Sequence, residues 1–402
     1  MTESGRRIPS WIGPVAVVSI AQLFGTSLWF SANSAAGGLI DAWGADASAI
    51  GWLTTAVQGG FILGTLGMSL LGLADRFRAS TIFVTSALAG ALFNLGFAWL
   101  AQDVVSGSVF RFLVGLSLAG IYPIGMKLIV SWEPERTGQA LALLVAMLTL
   151  GTALPHFLRF SGGQLPWQWI VSGSSGLALV GAALVHRLGT GPHLPAAAGV
   201  KRTGNVLSAF SIARFRAAAI GYFGHMWELY AFWTAVPMLV AATGLDAGFP
   251  ALGVAGLSFL VIGAGALGCL AGGALSQRIG SAGVAMGSLI LSGGCIMAFA
   301  LGWRALPAEA LLAVLLLWGA SVVADSPQFS ALSARACPRD MVGAALAIQN
   351  AAGFAITMLS ILATTILIQK IGPSAVWLLL PGPLAGVAGY LIILRRHRRR
   401  TG

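Results

Sequence analysis

The feature that most constrains this chain is a series of twelve apolar stretches, each near the length a helix needs to cross a bilayer. They run approximately 14–38, 49–73, 81–100, 106–131, 138–159, 168–186, 216–242, 250–275, 282–302, 309–333, 342–367 and 375–394. A hydrocarbon core about 30 Å thick takes roughly 20 helical residues. Inside it, backbone polar groups must be satisfied within the segment, which an α-helix does. Only 9% of the residues are charged against 57% hydrophobic, whereas a soluble domain carries about 25% charged. A soluble enzyme is therefore excluded, and so is intrinsic disorder, which needs low hydrophobicity. The expected fold class is all-α integral membrane, with twelve transmembrane helices. Arg6 and Arg7 ahead of the first stretch give it the outline of a secretory signal, but it is too long for a signal core and eleven more follow, so it reads as a retained anchor.

Basic residues recur in alternate gaps between the stretches. With the N-terminus inside, Arg304 and Lys370 are the basic residues left to outer loops, and Arg111, Lys127 and Arg159 lie within spans. By the positive-inside rule, both termini are cytoplasmic in a multi-pass inner-membrane protein. The net charge of +11 then reflects topology rather than nucleic acid, and the tail Arg395-Arg396-His397-Arg398-Arg399-Arg400 contacts anionic headgroups. Cys269, Cys295 and Cys337 are far apart and form no metal-ligand spacing, so neither a metal site nor a cofactor is expected. The widest gap divides the chain into 1–186, a cytoplasmic loop at 187–215, and 216–402.

The two halves echo each other. Pro123 is followed eleven residues later by Pro134, and Pro327 eleven residues later by Pro338. Leu73-Ala74-Asp75-Arg76 is echoed by Leu275-Ser276-Gln277-Arg278, and Phe24-Gly25 by Phe223-Gly224. Two six-span repeats suit a protein that rocks one half against the other around a central site. Gly72-Leu73-Ala74-Asp75-Arg76-Phe77-Arg78 and Arg111-Phe112-Leu113-Val114-Gly115, with the twelve spans and central loop, resemble the major facilitator superfamily over nearly the whole chain. In the loop motif, glycine falls one place late and Arg78 replaces the second glycine. The resemblance implies two pseudo-symmetric six-helix halves and an inner gate involving Gly72, Asp75, Arg76 and Arg136. It also implies a proton-transfer role for Arg111. Gly151-Thr152-Ala153-Leu154-Pro155-His156 does not satisfy the family's span-five antiporter motif.

Ionisable groups at membrane depth are costly, so they are functional candidates by default. Glu228 and Asp325 are the carboxylates well inside spans, and His225, three residues before Glu228, shares its helical face. Glu228 is the preferred proton carrier, assisted by His225 and Asp325; Pro327 removes a backbone donor and opens the helix beside Asp325. The alternatives are a hydrogen-bonded structural Glu228 and an Asp325 that locks span ten to a neighbour. Trp29, Asn33, Gln58, Tyr122, Tyr222, Trp227, Gln328, Gln349 and Asn350 are candidates to line a substrate cavity, with helix–helix hydrogen bonding as the alternative. The run Trp227, Tyr230, Phe232, Trp233 fits a substrate platform or ordinary packing. Lys127 reads as snorkelling to the interface; Arg111, His156 and Arg159 suit an outer gate or interface anchoring. Gly263-Ala264-Gly265-Ala266-Leu267-Gly268 matches a dinucleotide pattern but lies inside an apolar span, where it serves helix packing.

The function expected is secondary transport of a small organic solute by alternating access, as proton-coupled efflux. Uptake is the alternative direction, and a membrane sensor or scaffold the alternative class. No enzyme activity is expected. The partners are the small-molecule substrate, protons and the lipid bilayer, without nucleic acid and with a monomer as the functional unit.

Overall fold

A computed structural model describes residues 13–134, 137–193, 206–338 and 341–401. The described residues form α-helices joined by short turns. The first half of the chain supplies α1 (Pro14–Thr26), α2 (Ser31–Ser34), α3 (Ala36–Trp43), α4 (Ser48–Leu70), α5 (Leu73–Arg76), α6 (Ala79–Leu100), α7 (Val104–Leu118), α8 (Tyr122–Trp132), α9 (Thr137–Gly162) and α10 (Trp167–Leu188). The second half supplies α11 (Ala213–Thr243), α12 (Leu245–Gly248), α13 (Gly253–Gly302), α14 (Ala308–Ala324), α15 (Ser326–Ala336), α16 (Val342–Ile371) and α17 (Pro381–Thr401), with 3-10 turns at Val206–Ser211 and Gly372–Leu379.

Eight helical stretches among the described residues are long and apolar enough to cross a membrane. Two of them, Gly253–Gly302 and Val342–His397, run 50 and 56 residues, far more than the roughly 20 that one crossing takes. Each contains a reversal of backbone conformation. Gly280, at φ 76° and ψ 158°, interrupts the first, and Gly372, at φ 64°, ends α16 inside the second. Both angles lie where a side chain is strained and glycine is not.

Three expected crossings are broken rather than continuous. The first is divided at Ser27–Phe30, the fourth between Leu118 and Tyr122, and the tenth at Asp325. Pro123 and Pro327, the paired prolines of the sequence repeat, each stand in the first turn of the helix that resumes after a break. The cause at the second site is direct. Pro327 has no N–H to offer the carbonyl four residues back, and that carbonyl, of Val323, instead accepts from the Cys269 thiol at 3.7 Å.

Helix pairs meet through glycine. A Cβ on Gly115 of α7 would come within 2.8 Å of the Val57 backbone carbon in α4, and one on Gly319 of α14 within 3.0 Å of that of Val261 in α13. Small residues let backbones approach this closely where lipid offers no hydrophobic drive to associate. The two halves join along α9 against α13 and along α4 against α16. The Gly263–Gly268 segment lies within α13, where Gly265 packs on Thr149 and Val323.

At one end of the bundle, turns are tied together by Thr190, whose Oγ1 accepts from the Ser80 N–H at 3.1 Å, and by Ser131, whose Oγ accepts from the Gly191 N–H at 3.0 Å. Arg76, Arg78, Arg187, Arg214, Arg278 and Arg335 are exposed around this end. At the opposite end the halves touch. The Gln369 side chain lies against the turn at Asp46–Ser48, and Thr365 packs against Gly51.

Candidate substrate and ion site

An aromatic cluster drawn from both halves fills the middle of the bundle. Trp29 lies in the break between α1 and α2, fully buried, with its ring centroid 4.8 Å from Phe61 of α4. It stacks on Tyr230 of α11 at 5.6 Å and on Phe354 of α16 at 5.9 Å. Phe30 meets Trp233 edge-on at 5.9 Å. Among the described residues, the indole nitrogens of Trp29 and Trp233 have no hydrogen-bond partner, nor do the amide groups of Gln22, Gln58 and Gln349. Buried polar groups ordinarily find partners, and these are five exceptions on α1, α4, α11, α16 and the break after α1. Asn33 donates to Thr54 at 2.9 Å and leaves its carbonyl oxygen unpaired.

Arg111 is buried in the first half. Its Nη1 donates to the Leu28 carbonyl at 3.0 Å, to Ser31 Oγ at 3.1 Å and to Asn94 Oδ1 at 3.0 Å; its Nη2 donates to the Trp29 carbonyl. The guanidinium thus clamps the backbone at the break that carries Trp29. It reaches this depth from α7, whose first turn is capped by Asp103 accepting from the Ser106 N–H at 2.7 Å. The Ser106 hydroxyl, then that N–H, hold the Asp103 carboxyl below its ordinary range by favouring the charged form.

The ionisable groups of the second half form two adjoining sites. His225 Nδ1 stands 2.8 Å from Asp325 Oδ1, both side chains buried. Asp325 occupies the α14–α15 break, and the Tyr222 ring lies 6.0 Å from the His225 ring. One turn along α11, Glu228 Oε1 accepts from Trp318 Nε1 at 2.6 Å and Oε2 from Ser292 Oγ at 2.9 Å. His225 and Glu228 share a helix face yet turn to different neighbours.

The remaining candidates are dispersed. Trp227 donates to the Leu378 carbonyl at 2.8 Å, and Phe232 stacks on Trp318 at 4.1 Å, so these two members of the aromatic run pack inside the second half. Gln328 approaches the Gly272 carbonyl at 3.5 Å; Asn350 and Tyr122 are half-buried. His156 is buried with Nε2 unpaired, Arg159 donates to the Leu165 carbonyl at 2.8 Å, and Lys127 donates to the Ala74 carbonyl. Gly72, at φ 61°, turns the chain into α5, where Arg76 is exposed. Arg136 and the side chain of Asp75 fall outside the described residues. A groove of about 610 Å³ on the outside of α4 and α7 is lined by Trp52, Val105, Val109 and Phe112; it holds no ionisable group and faces away from the site. Sequence reasoning passed over Phe61, Asn94, Ser292, Trp318 and Phe354. A tryptophan N–H inside an apolar span needs an acceptor, which is the one signal that pointed to Trp318.

Residues 18–324 match the family model described as Major Facilitator Superfamily. The chain is 30% identical over 310 residues to the 3-(3-hydroxy-phenyl)propionate transporter of Escherichia coli strain K12, covering 75% of this chain and 72% of that protein. It is 33% identical over 135 residues to the niacin transporter NiaP of Acinetobacter baylyi, covering 29% of this chain and 30% of the relative. Over 138 residues it is 30% identical to the 4-hydroxybenzoate transporter PcaK of Pseudomonas aeruginosa, covering 31% and 30%. With its apolar helices and a match over most of its length, the chain belongs to the Major Facilitator Superfamily and is a multi-pass membrane transporter rather than an enzyme.

Proposed function

We propose that the protein carries small aromatic monocarboxylates together with a proton, by alternating access between two six-helix halves. The observation that carries this reading is the two-sided aromatic cluster around Trp29, Tyr230 and Phe354, rich in unpaired polar atoms and close to the His225–Asp325 pair. Stacked rings favour an aromatic substrate. The named substrates of the three relatives are each an aromatic ring bearing one carboxyl. A helix of 50 residues would be about 75 Å long, so α13 serves as two crossings divided at Gly280, and the stretch from Val342 onward as two more divided at Gly372. With the broken first crossing taken as one and α11 as another beside the eight apolar stretches, this gives twelve. The arginine-rich end is cytoplasmic by the positive-inside rule, in the inner membrane.

Charge supports the proton. Glu228 and Asp325 are both buried, each facing a polar partner, and a carboxylate at this depth must be paired or carry a proton. An isolated charge at this depth is too costly to persist. Direction follows from the membrane potential, which opposes entry of an anion into an inside-negative cell by about 2.3 kcal/mol per 100 mV. An aromatic anion leaves downhill and needs a proton to accumulate, which favours uptake, the alternative direction, over the expected efflux. The test is entry of labelled 3-(3-hydroxyphenyl)propionate, 4-hydroxybenzoate or niacin into proteoliposomes with an alkaline interior. Accumulation beyond that of protein-free liposomes, abolished by a protonophore, is expected. Uptake no greater than in protein-free liposomes for all three would sink the reading.

A further inference from the structure

The Ser292 hydroxyl has two acceptors within reach and one hydrogen to give. Its oxygen stands 2.9 Å from Glu228 Oε2 and 3.2 Å from the Leu289 carbonyl, one turn back on its own helix. A hydroxyl can also accept, and it rotates to suit its neighbours. Trp318 is the opposite kind of partner. Its indole Nε1, 2.6 Å from Glu228 Oε1, donates and cannot accept. The ring is fully buried and stacks on Phe232 at 4.1 Å. Phe232 lies one turn beyond Glu228 on α11, so the helix that carries the carboxyl also carries the ring that holds its donor.

These partners treat the two carboxyl oxygens differently. With Glu228 ionised, Oε1 accepts from Trp318 and Oε2 from Ser292. An added proton cannot sit on Oε1 facing the indole N–H, donor against donor. It sits on Oε2 and is donated to Ser292 Oγ, while the Ser292 hydrogen turns to the Leu289 carbonyl. Every polar atom of the group keeps a partner in both states, and no heavy atom has to move. A buried group left unpaired in one state would carry its full desolvation penalty there. Glu228, Ser292 and Trp318 lie on α11, α13 and α14, so none of these bonds crosses between the halves. Around the group, the other titratable side chains are Cys295, one turn beyond Ser292 on α13, and the His225–Asp325 pair, one turn back on α11 and at the α14–α15 break. On α17, Tyr390 follows Gly389, which packs on Ile220 about two turns back along α11.

We propose that Ser292 and Trp318 are positioning residues for the proton of Glu228. Trp318 fixes Oε1 as the bare oxygen, and Ser292, turning its hydrogen between Oε2 and the Leu289 carbonyl, lets Oε2 take a proton from the aqueous side and give it up again. The assignment rests on the proton-coupled reading above.

The test is a pH titration of the purified full-length protein by infrared difference spectroscopy, following the carbonyl stretch of protonated carboxyl groups. It needs no substrate. In the wild type, one component should fade as pH rises and be missing from Glu228→Gln. Ser292→Ala and Trp318→Phe each remove a donor to the carboxyl. A donor favours the ionised form over the protonated one, so its loss should raise the pH at which that component fades. The expected rise is about one unit, the scale by which a hydrogen bond to a charged group exceeds one to a neutral group. Trp318→Phe should also move the component to higher frequency, because Oε1, the carbonyl oxygen of the protonated group, loses its donor. Ser292→Ala removes a single oxygen and decides the matter even where Trp318→Phe does not fold. A Glu228 component whose midpoint is unmoved in Ser292→Ala would overturn the assignment. A titration in which Glu228→Gln removes no component is a different result; it takes away Glu228 as proton carrier, and this assignment with it, and leaves the aromatic substrate untouched.

Discussion

Replacing Arg111 by lysine keeps the positive charge and should still weaken the protein. The guanidinium makes four hydrogen bonds from two nitrogens, to the Leu28 and Trp29 carbonyls, Ser31 Oγ and Asn94 Oδ1. The Leu28 carbonyl is also reached by the Ser31 hydroxyl at 3.1 Å, and Asn94 Oδ1 by the same hydroxyl at 2.8 Å. Lysine places its three donors on a single nitrogen without the planar fork, so it does not reach the Trp29 carbonyl and the Leu28–Ser31–Asn94 group at once. The lost bond is charge-assisted and buried, worth about 1.5–3 kcal/mol. The Trp29 carbonyl, opposite the second nitrogen, is the acceptor most exposed to that loss, and Trp29 centres the aromatic cluster. The resemblance to the superfamily by itself implies an effect on coupling more than on stability. The geometry adds a fall of several degrees in melting temperature and a raised KM for an aromatic acid. Melting of the purified protein in detergent, paired with counterflow kinetics, reads both. A lysine variant with wild-type melting and wild-type KM would refute the clamp.

Glu228→Gln should fold, because the Trp318 N–H can only donate and so fixes the amide oxygen, while the Ser292 hydroxyl can rotate to accept from the amide nitrogen. It should lose gradient-driven accumulation and keep exchange; retention of both would remove Glu228 from coupling. Asp325→Asn should separate the same two activities, and combining it with His225→Asn should add little, since partners in one pair are not additive; fully additive losses would show that the two act independently. At the end where the halves touch, Gln369→Ala should speed thiol labelling of a Thr365→Cys reporter, and an unchanged rate would mean that Gln369 holds nothing. The Ser48 hydroxyl, in the turn against which Gln369 lies, keeps the Asp46 carboxyl below its ordinary range. A depressed value means that this contact is intact above the unfolded carboxylate pKa and is lost as pH falls through the depressed one. Labelling should therefore quicken only below about pH 4, and Asp46→Asn should abolish that dependence.

Much of the helical framework was legible in hydropathy, and Pro327 marked one of the three broken crossings, whereas Pro123 stood out only as its counterpart in the repeat. The break at Ser27–Phe30 carries no proline. It is held by tertiary bonds, chiefly those of Arg111 from α7, which no local pattern records. The same limit governs the site. Glu228, His225 and Asp325 stood out because ionisable residues are rare in apolar spans, but helical spacing put His225 and Glu228 on one face and suggested they act on each other. Positions three apart differ by about 60° around a helix. In a packed bundle that is enough to aim His225 at Asp325 and Glu228 at Ser292 and Trp318, residues 64 to 100 positions away in the chain. The aromatic cluster was half legible. Trp29 and Tyr230 were visible as amphipathic residues, whereas Phe61 and Phe354 look like any other apolar core residue until the halves are brought together.

The central claim is that an aromatic acid and a proton cross together. It is tested most directly by recording internal pH in proteoliposomes, held at zero membrane potential, when 4-hydroxybenzoate or 3-(3-hydroxyphenyl)propionate is added outside with no pH gradient imposed. The account predicts acidification of the lumen that exceeds passive entry into protein-free liposomes, saturates with substrate and disappears in Glu228→Gln or Asp325→Asn. Saturable entry of labelled acid with no accompanying proton movement would contradict it.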